Sequence, residues 1–236
     1  RRAERAQPID ESRGMDHATA SASAASTYSK TFATARSRAS RIVRRATCSG
    51  VSPTGGRSAW IAAEPFGLQG YCVSPELLMR AAQNFAAAHV PDRSADWPRV
   101  QVGHGEKIRV GYVAGEFRDQ ATSVLLTGVL EQHDRSQFEV FAFDNGGGDG
   151  SALRRRIEAA VQVVPIRELT HEQAVAAVRE RGIDILVNLN GYFGRARHHL
   201  FAARPAPIQV NYLGFPGTTG MPYIDYLIAD EVVIPA

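Results

Sequence analysis

The sequence predicts an α/β protein built on an open, doubly wound parallel sheet, and three observations carry that prediction. From residue 107 onward, short apolar runs alternate with amphipathic segments of helical period. The first run, Ile-Arg-Val-Gly-Tyr-Val-Ala at 108–114, is nearly continuous in apolar residues, which suits a strand buried on both faces. A later run at 208–213 passes at once into Gly214, Pro216, Gly217 and Gly220, with Thr218 and Thr219 between them. That reads as a strand ending in a glycine-rich loop, with Pro205 and Pro207 fixing an extended entry.

Order is expected to begin near Glu64. Ser74 and Pro75 read as the N-cap and first residue of a helix whose apolar face is Leu77, Leu78, Ala81, Ala82 and Phe85. Residues 91–105 read as a linker. A helix over 122–132 should bury Leu125, Leu126, Val129 and Leu130. The strand at 138–143 leads into the connection 145–150, whose Gly146–Gly148 lacks the lysine and spacing of a P-loop and reads as a flexible surface turn. Ser151 caps a helix with Leu153, Ile157 and Ala160 inward, followed by a strand at 161–166. Thr170 and Gln173 form a capping box for a helix with core residues Ala174, Val175 and Val178, closed by Gly182. A strand at 185–189, a helix around 197–203, the strand at 208–213 and a last strand at 226–229 complete the pattern. No Gly-x-Gly-x-x-Gly follows the first strand, which argues against a dinucleotide site.

Composition bounds the function. The chain has 236 residues, 44% hydrophobic and 22% charged, which is ordinary for a globular protein. A net charge of +3 is too small to imply nucleic acid, and no apolar run approaches the ~20 residues that span a bilayer. Cys48 and Cys72 have no metal-ligand spacing and read as unpaired thiols. Residues 1–63 differ from the rest: from His17 to Ala63 there is no Asp or Glu, while Lys30, Arg36, Arg38, Arg41, Arg44, Arg45 and Arg57 recur among Ser, Thr and Ala. Such a segment buries too little apolar area to offset its chain entropy, so disorder or ill-packed helix is expected there. A transit peptide, a genuine linker and a shifted reading frame are the three explanations that fit it.

Three loops at strand carboxyl ends could carry chemistry, since ligands of doubly wound sheets bind there. The first, Gly115-Glu-Phe-Arg-Asp-Gln-Ala-Thr-Ser123, sets charged and hydroxyl groups at a helix N-terminus, where an anion would be favoured. Plain capping by Thr122 or Asp119 explains the same residues. In the second loop, 190–197, Asn190 and Gly191 can turn sharply and Tyr192 offers an apolar face with a hydroxyl. Arg195 and Arg197 read as solvated helix charges. His198 and His199 are adjacent and so make a poor metal pair, and no metal site is expected. The third loop is the Gly/Pro/Thr turn after 213, whose bare backbone suits a sugar or phosphate oxygen, or forms a tight turn with no ligand.

Together, the runs at 108–117, 184–192 and 204–220 resemble the N-terminal half of the catalytic region of protein O-GlcNAc transferases, including bacterial SPINDLY-like members. The likeness extends from about Glu64 to the C-terminus. It implies a Rossmann-like N-terminal lobe of a GT-B glycosyltransferase over 107–236, preceded by a helical linker over 64–106, in a cytoplasmic protein of a family that usually carries tetratricopeptide helices. It implies inverting transfer of GlcNAc from UDP-GlcNAc to Ser or Thr of an acceptor protein, with no metal or other cofactor. By resemblance Glu116 and Gln120 are the catalytic candidates, Thr122, Leu213, Gly214 and Pro216 contact the donor sugar, and Tyr192 and Arg197 contact acceptor or donor. The family reads Asp at position 116 and His at 120, so this chain departs at both; Gln120 cannot titrate and cannot be a general base. The chain stops about where the family's first lobe meets its second. Little or no transfer by the 236 residues alone is therefore expected, along with apolar surface that a second lobe would cover. A non-catalytic protein-binding module or pseudoenzyme lobe, and an unrelated sugar-phosphate binder, are the alternatives.

Overall fold

Residues Ile108–Ala114 form β1 at the centre of the sheet, flanked by β2 (Phe138–Asp144) and β4 (Ile185–Asn188). The structure, a computed structural model, describes residues 64–70, 74–91, 93, 105–232 and 234. The segment 1–63, both cysteines and most of the linker at 91–105 lie outside the described residues. The remaining strands are β3 (Gln162–Pro165), β5 (Ile208–Tyr212) and β6 (Tyr226–Ile228). The order is β3-β2-β1-β4-β5-β6 and every pairing is parallel. The chain winds outward from β1 through β2 to β3, then returns to start again at β4 on the other side. The switch point therefore falls between β1 and β4, which run in register from Val110↔Ile185 to Val113↔Asn188.

The central strands β2, β1, β4 and β5 are buried on both faces because side chains alternate between two cores. On one face Val113, Phe141, Phe143 and Leu186 meet α2 (Pro75–His89), α5 (His171–Glu180) and α6 (His198–Ala202). On the other, Val110, Tyr112, Val140 and Val187 meet α3 (Ala121–Gln132) and α4 (Ala152–Ala160). A short α1 (Pro65–Gln69) precedes them, with Glu64 as its N-cap. Caps fall where the sequence places them: Ser74 accepts from Leu77 N, Ser151 from Arg154 N, and Thr170 and Gln173 form a reciprocal box. Gly182 takes a left-handed φ of 57° just past α5.

Three expectations need correction. Leu77 of α2 is exposed, and its buried residues are Ala81, Ala82 and Ala86. In α3 Leu126 and Leu130 are buried, but Leu125 is 64% exposed and Val129 also faces out. The inward face there is completed by Thr122, Ser123 and Thr127, whose small side chains let the helix approach the sheet. Ser123 Oγ donates to Glu116 O at 2.5 Å and Thr127 Oγ1 to Ser123 O at 2.6 Å, so these hydroxyls are satisfied inside. Gly146–Gly148 is no loose turn, as the site makes clear. At the outer edge of the sheet, Tyr226, Leu227 and Ile228 of β6 are all exposed.

Candidate sugar-binding edge

At the switch point the loop after β1 and the loop after β4 are joined by one carboxylate. Glu116 is 4% exposed. Its Oε2 accepts from Asn190 Nδ2 at 2.6 Å and from Gly115 N at 3.1 Å, and its Oε1 accepts from Arg195 N at 3.5 Å. Asn190 completes the junction: its Oδ1 accepts from Gly115 N at 3.2 Å and its Nδ2 also donates to Phe193 O at 2.9 Å. Asn188, at the end of β4, accepts from Asn190 N and Gly191 N, each at 3.1 Å.

A third loop is locked onto this pair. Asp144 and Arg154 form a buried ion pair at 2.5 Å, and Asp144 Oδ1 accepts from Gly146 N at 2.8 Å and Gly147 N at 3.0 Å. Arg154 Nη1 also donates to Phe117 O at 2.9 Å, reaching the loop after β1. Gly146 lies so close to that loop that an added Cβ would stand 1.9 Å from Gly115 O. The Asp149 carboxylate accepts from Asp119 N and Ser151 N, which holds it down to about 2. The glycine turn is thus pinned by a buried ion pair and by carboxylate caps, which overturns its reading as flexible.

The other sequence-predicted residues divide. Gln120 is the N-cap of α3, its Oε1 accepting from Thr122 N at 2.9 Å, so the cap is neither Thr122 nor Asp119. Thr122 is buried directly behind it. Tyr192 turns away from the edge into the core, where its hydroxyl donates to Thr219 O at 2.6 Å and Ala82 O at 3.1 Å. Burial raises its pKa, and no free hydroxyl is offered to an acceptor. Arg197 is half-buried and donates to the carbonyls of Ile166, Leu169 and Thr170, fixing the loop after β3. It is a brace and not the solvated charge expected from sequence. Burial lowers its pKa.

The loop after β5 carries local strain. Leu213 adopts φ 71°, a left-handed conformation rare for a branched side chain. Gly214 sits against the end of β4, where a Cβ would stand 1.9 Å from Leu189 O. Gly214 and Glu116 therefore share one edge through the segment 189–190. A cavity of about 880 Å³ opens beside this loop, lined by Leu213, Pro216, Thr218, Met79, Asn211 and Tyr226 among others. Glu116, Gln120, Thr122, Tyr192, Arg197 and Gly214 lie outside its lining. Asn211 is buried, and both atoms of its amide lack a partner. Sequence reading did not single it out, since an Asn in mid-strand carries no local signal. Among the described residues no group of three or more His, Cys, Asp or Glu could hold a metal ion, and no helix is long and apolar enough to cross a membrane.

The chain is similar to known proteins in sequence and in fold. A model of glycosyl transferase family 41 matches residues 87–236. A probable UDP-N-acetylglucosamine–peptide N-acetylglucosaminyltransferase SEC of Arabidopsis thaliana is 35% identical over 183 residues, covering 73% of this chain and 19% of that protein. A Caenorhabditis elegans UDP-N-acetylglucosamine–peptide N-acetylglucosaminyltransferase is 38% identical over 139 residues, 58% of this chain and 12% of its own length. A solved mutant O-GlcNAc transferase of Thermobaculum terrenum superposes with a TM-score of 0.64 at 32% identity, over 70% of this chain and 32% of the other. This chain thus spans a fifth or less of those curated relatives and about a third of the solved neighbour. With the family model covering more than half of it, the chain belongs to glycosyl transferase family 41.

Proposed function

We propose that this chain supplies the acceptor-side lobe of a protein O-GlcNAc transferase, which moves GlcNAc from UDP-GlcNAc to Ser or Thr hydroxyls of proteins with inversion at the anomeric carbon. The observation that carries this is the joining of the loops after β1 and β4 by Glu116 and Asn190 at the switch point, beside the strained Leu213–Gly214 turn. Doubly wound sheets bind ligands at that place. Gly214 lets this turn close against Leu189 O, which sets Leu213 and Pro216 on either side of it along the cavity wall.

In this reading the acceptor hydroxyl forms a bond to the anomeric carbon as the bond to the diphosphate oxygen breaks. Glu116 already accepts from three N–H donors and is shut from solvent, so it holds the two loops in position. Gln120 has no titratable proton. The acceptor proton then passes to the departing diphosphate, and the role of the chain is orientation. No metal is required in this scheme.

For the 236 residues themselves, which span 32% of the solved neighbour, we expect little or no transfer. A radiolabelled transfer assay with purified chain, UDP-GlcNAc and a Ser/Thr peptide tests that, and turnover well above a blank contradicts it. A second reading, a lobe that binds protein without catalysis, is favoured by Gln120 and by the occupied Glu116 carboxylate. Peptide binding with no UDP-GlcNAc binding in titration calorimetry would select it.

A further inference from the structure

Two phenylalanines lie over the same edge. Phe66 of α1 and Phe193 of the loop after β4 stand with ring centroids 5.2 Å apart, tilted by 47°. Phe66 also lies 6.3 Å from Phe215, the buried residue between Gly214 and Pro216. Phe66 is 42% exposed and Phe193 half-buried, so the pair presents ring surface outward.

An exposed apolar residue is ordinary by itself. These two, however, are held in place by polar contacts on either side of the candidate site. Glu64 accepts from Phe66 N at 3.0 Å and Gly67 N at 2.8 Å, and Gln69 Nε2 donates to Pro216 O at 3.1 Å, which seats α1 on the glycine-rich loop. Phe193 N donates to Asn190 O at 2.8 Å, and Phe193 O accepts from the Asn190 amide that also reaches Glu116. The position of one ring is thus set by the Gly214–Gly217 turn, and that of the other by the Glu116 junction.

We propose that Phe66 and Phe193 form an aromatic platform for an apolar face of the N-acetylhexosamine ring, an inference that rests on the donor reading above. Each face of the GlcNAc chair carries axial C–H groups, and its hydroxyls project around the rim. The electron-rich face of an aromatic ring attracts the polarised C–H groups. The glycine N–H groups of the neighbouring loop are used inside the protein, Gly214 N on Tyr212 O, Gly217 N on Phe215 O and Gly220 N on Thr218 Oγ1, so the half-buried Thr218 hydroxyl of that loop is the group assigned to the rim. An apolar side chain of an acceptor polypeptide would match the rings alone and has no hydroxyl rim to meet a polar neighbour.

Saturation-transfer difference NMR on the 236-residue chain with UDP-GlcNAc tests the platform, with saturation applied at the phenylalanine ring protons. Protons on one face of the sugar should receive saturation. In Phe66→Leu and Phe193→Leu, which keep apolar bulk and lose the ring, the sugar-to-uridine saturation ratio should fall at least two-fold. Amide spectra matching the unaltered chain confirm that each variant is folded, and the exposed Phe66 ring can be removed without stripping the core. An unchanged ratio in both variants overturns the platform and leaves the donor reading standing. Absence of saturation at every UDP-GlcNAc proton overturns both. Saturation reaching an apolar side chain of an acceptor peptide, with none reaching the sugar, assigns the rings to polypeptide and also overturns the platform.

Discussion

The side-chain amide of Asn190 donates to the Glu116 carboxylate across 2.6 Å, tying the loop after β1 to the loop after β4. Removing the amide leaves a buried carboxylate with backbone donors only, at 3.1 and 3.5 Å. Asn190→Ala should therefore cost about 1–3 kcal/mol, the desolvation of an under-satisfied buried acceptor. Glu116→Gln should cost less, because its amide oxygen can still accept from Asn190 and carries no charge. Urea unfolding of the purified chain measures both. A loss below about 0.5 kcal/mol for Asn190→Ala would place the junction among ordinary surface contacts.

The Asp144–Arg154 pair makes a sharper prediction. Both side chains are buried, and Asp144 also holds the turn at Gly146 and Gly147. Asp144→Ala takes the buried carboxylate from the guanidinium, leaving it Phe117 O and the exposed Glu158, and also frees Gly146 N and Gly147 N, so it should cost about 3–5 kcal/mol. Glu158→Ala removes the other, exposed partner of Arg154 and should cost far less. Equal losses in denaturant titrations of the two variants would contradict the assignment.

Acid sensitivity follows from His198. Burial is the larger cause, and the neighbouring His199 the smaller, of a pKa pushed down to about 4. The unfolded chain, with an ordinary His pKa near 6.5, then binds the proton more tightly than the folded one. The stability associated with neutral His198 is fully present above pH ~6.5 and is lost as pH falls towards ~4, up to about 3 kcal/mol. His198→Phe should flatten the pH dependence of the melting temperature across that window. A variant curve parallel to that of the parent would refute this.

Gly214 is held to its identity by the approach of Leu189 O. Gly214→Ala must move the loop or the end of β4, and a loss of about 1–3 kcal/mol is expected from the overlap. Weaker UDP-GlcNAc binding in calorimetry should accompany it. Full affinity together with full stability would show that the approach is not tight in solution.

Much of this fold is legible in the sequence because its signals are local. The unbroken apolar run of β1 and the Thr170/Gln173 box each need only their neighbours in the chain. The burial pattern of α3 was not legible, since the acceptor that satisfies the inward Ser123 hydroxyl, Glu116 O, lies outside the helix. At the site, the sequence places Glu116 and Gly214 at one edge, but it cannot foresee that Tyr192 turns towards Ala82 and Thr219, contacts distant in the chain. Arg154 was hidden for a similar reason. A helix arginine reads as solvated until its partner Asp144, on another element, is seen.

The most direct test of the central claim is a titration of the ¹⁵N-labelled chain with UDP-GlcNAc, followed by amide chemical-shift mapping. Shifts should concentrate in the three loops at 115–122, 190–197 and 213–220. Shifts confined to other parts of the sheet, or none up to millimolar ligand, would contradict the account.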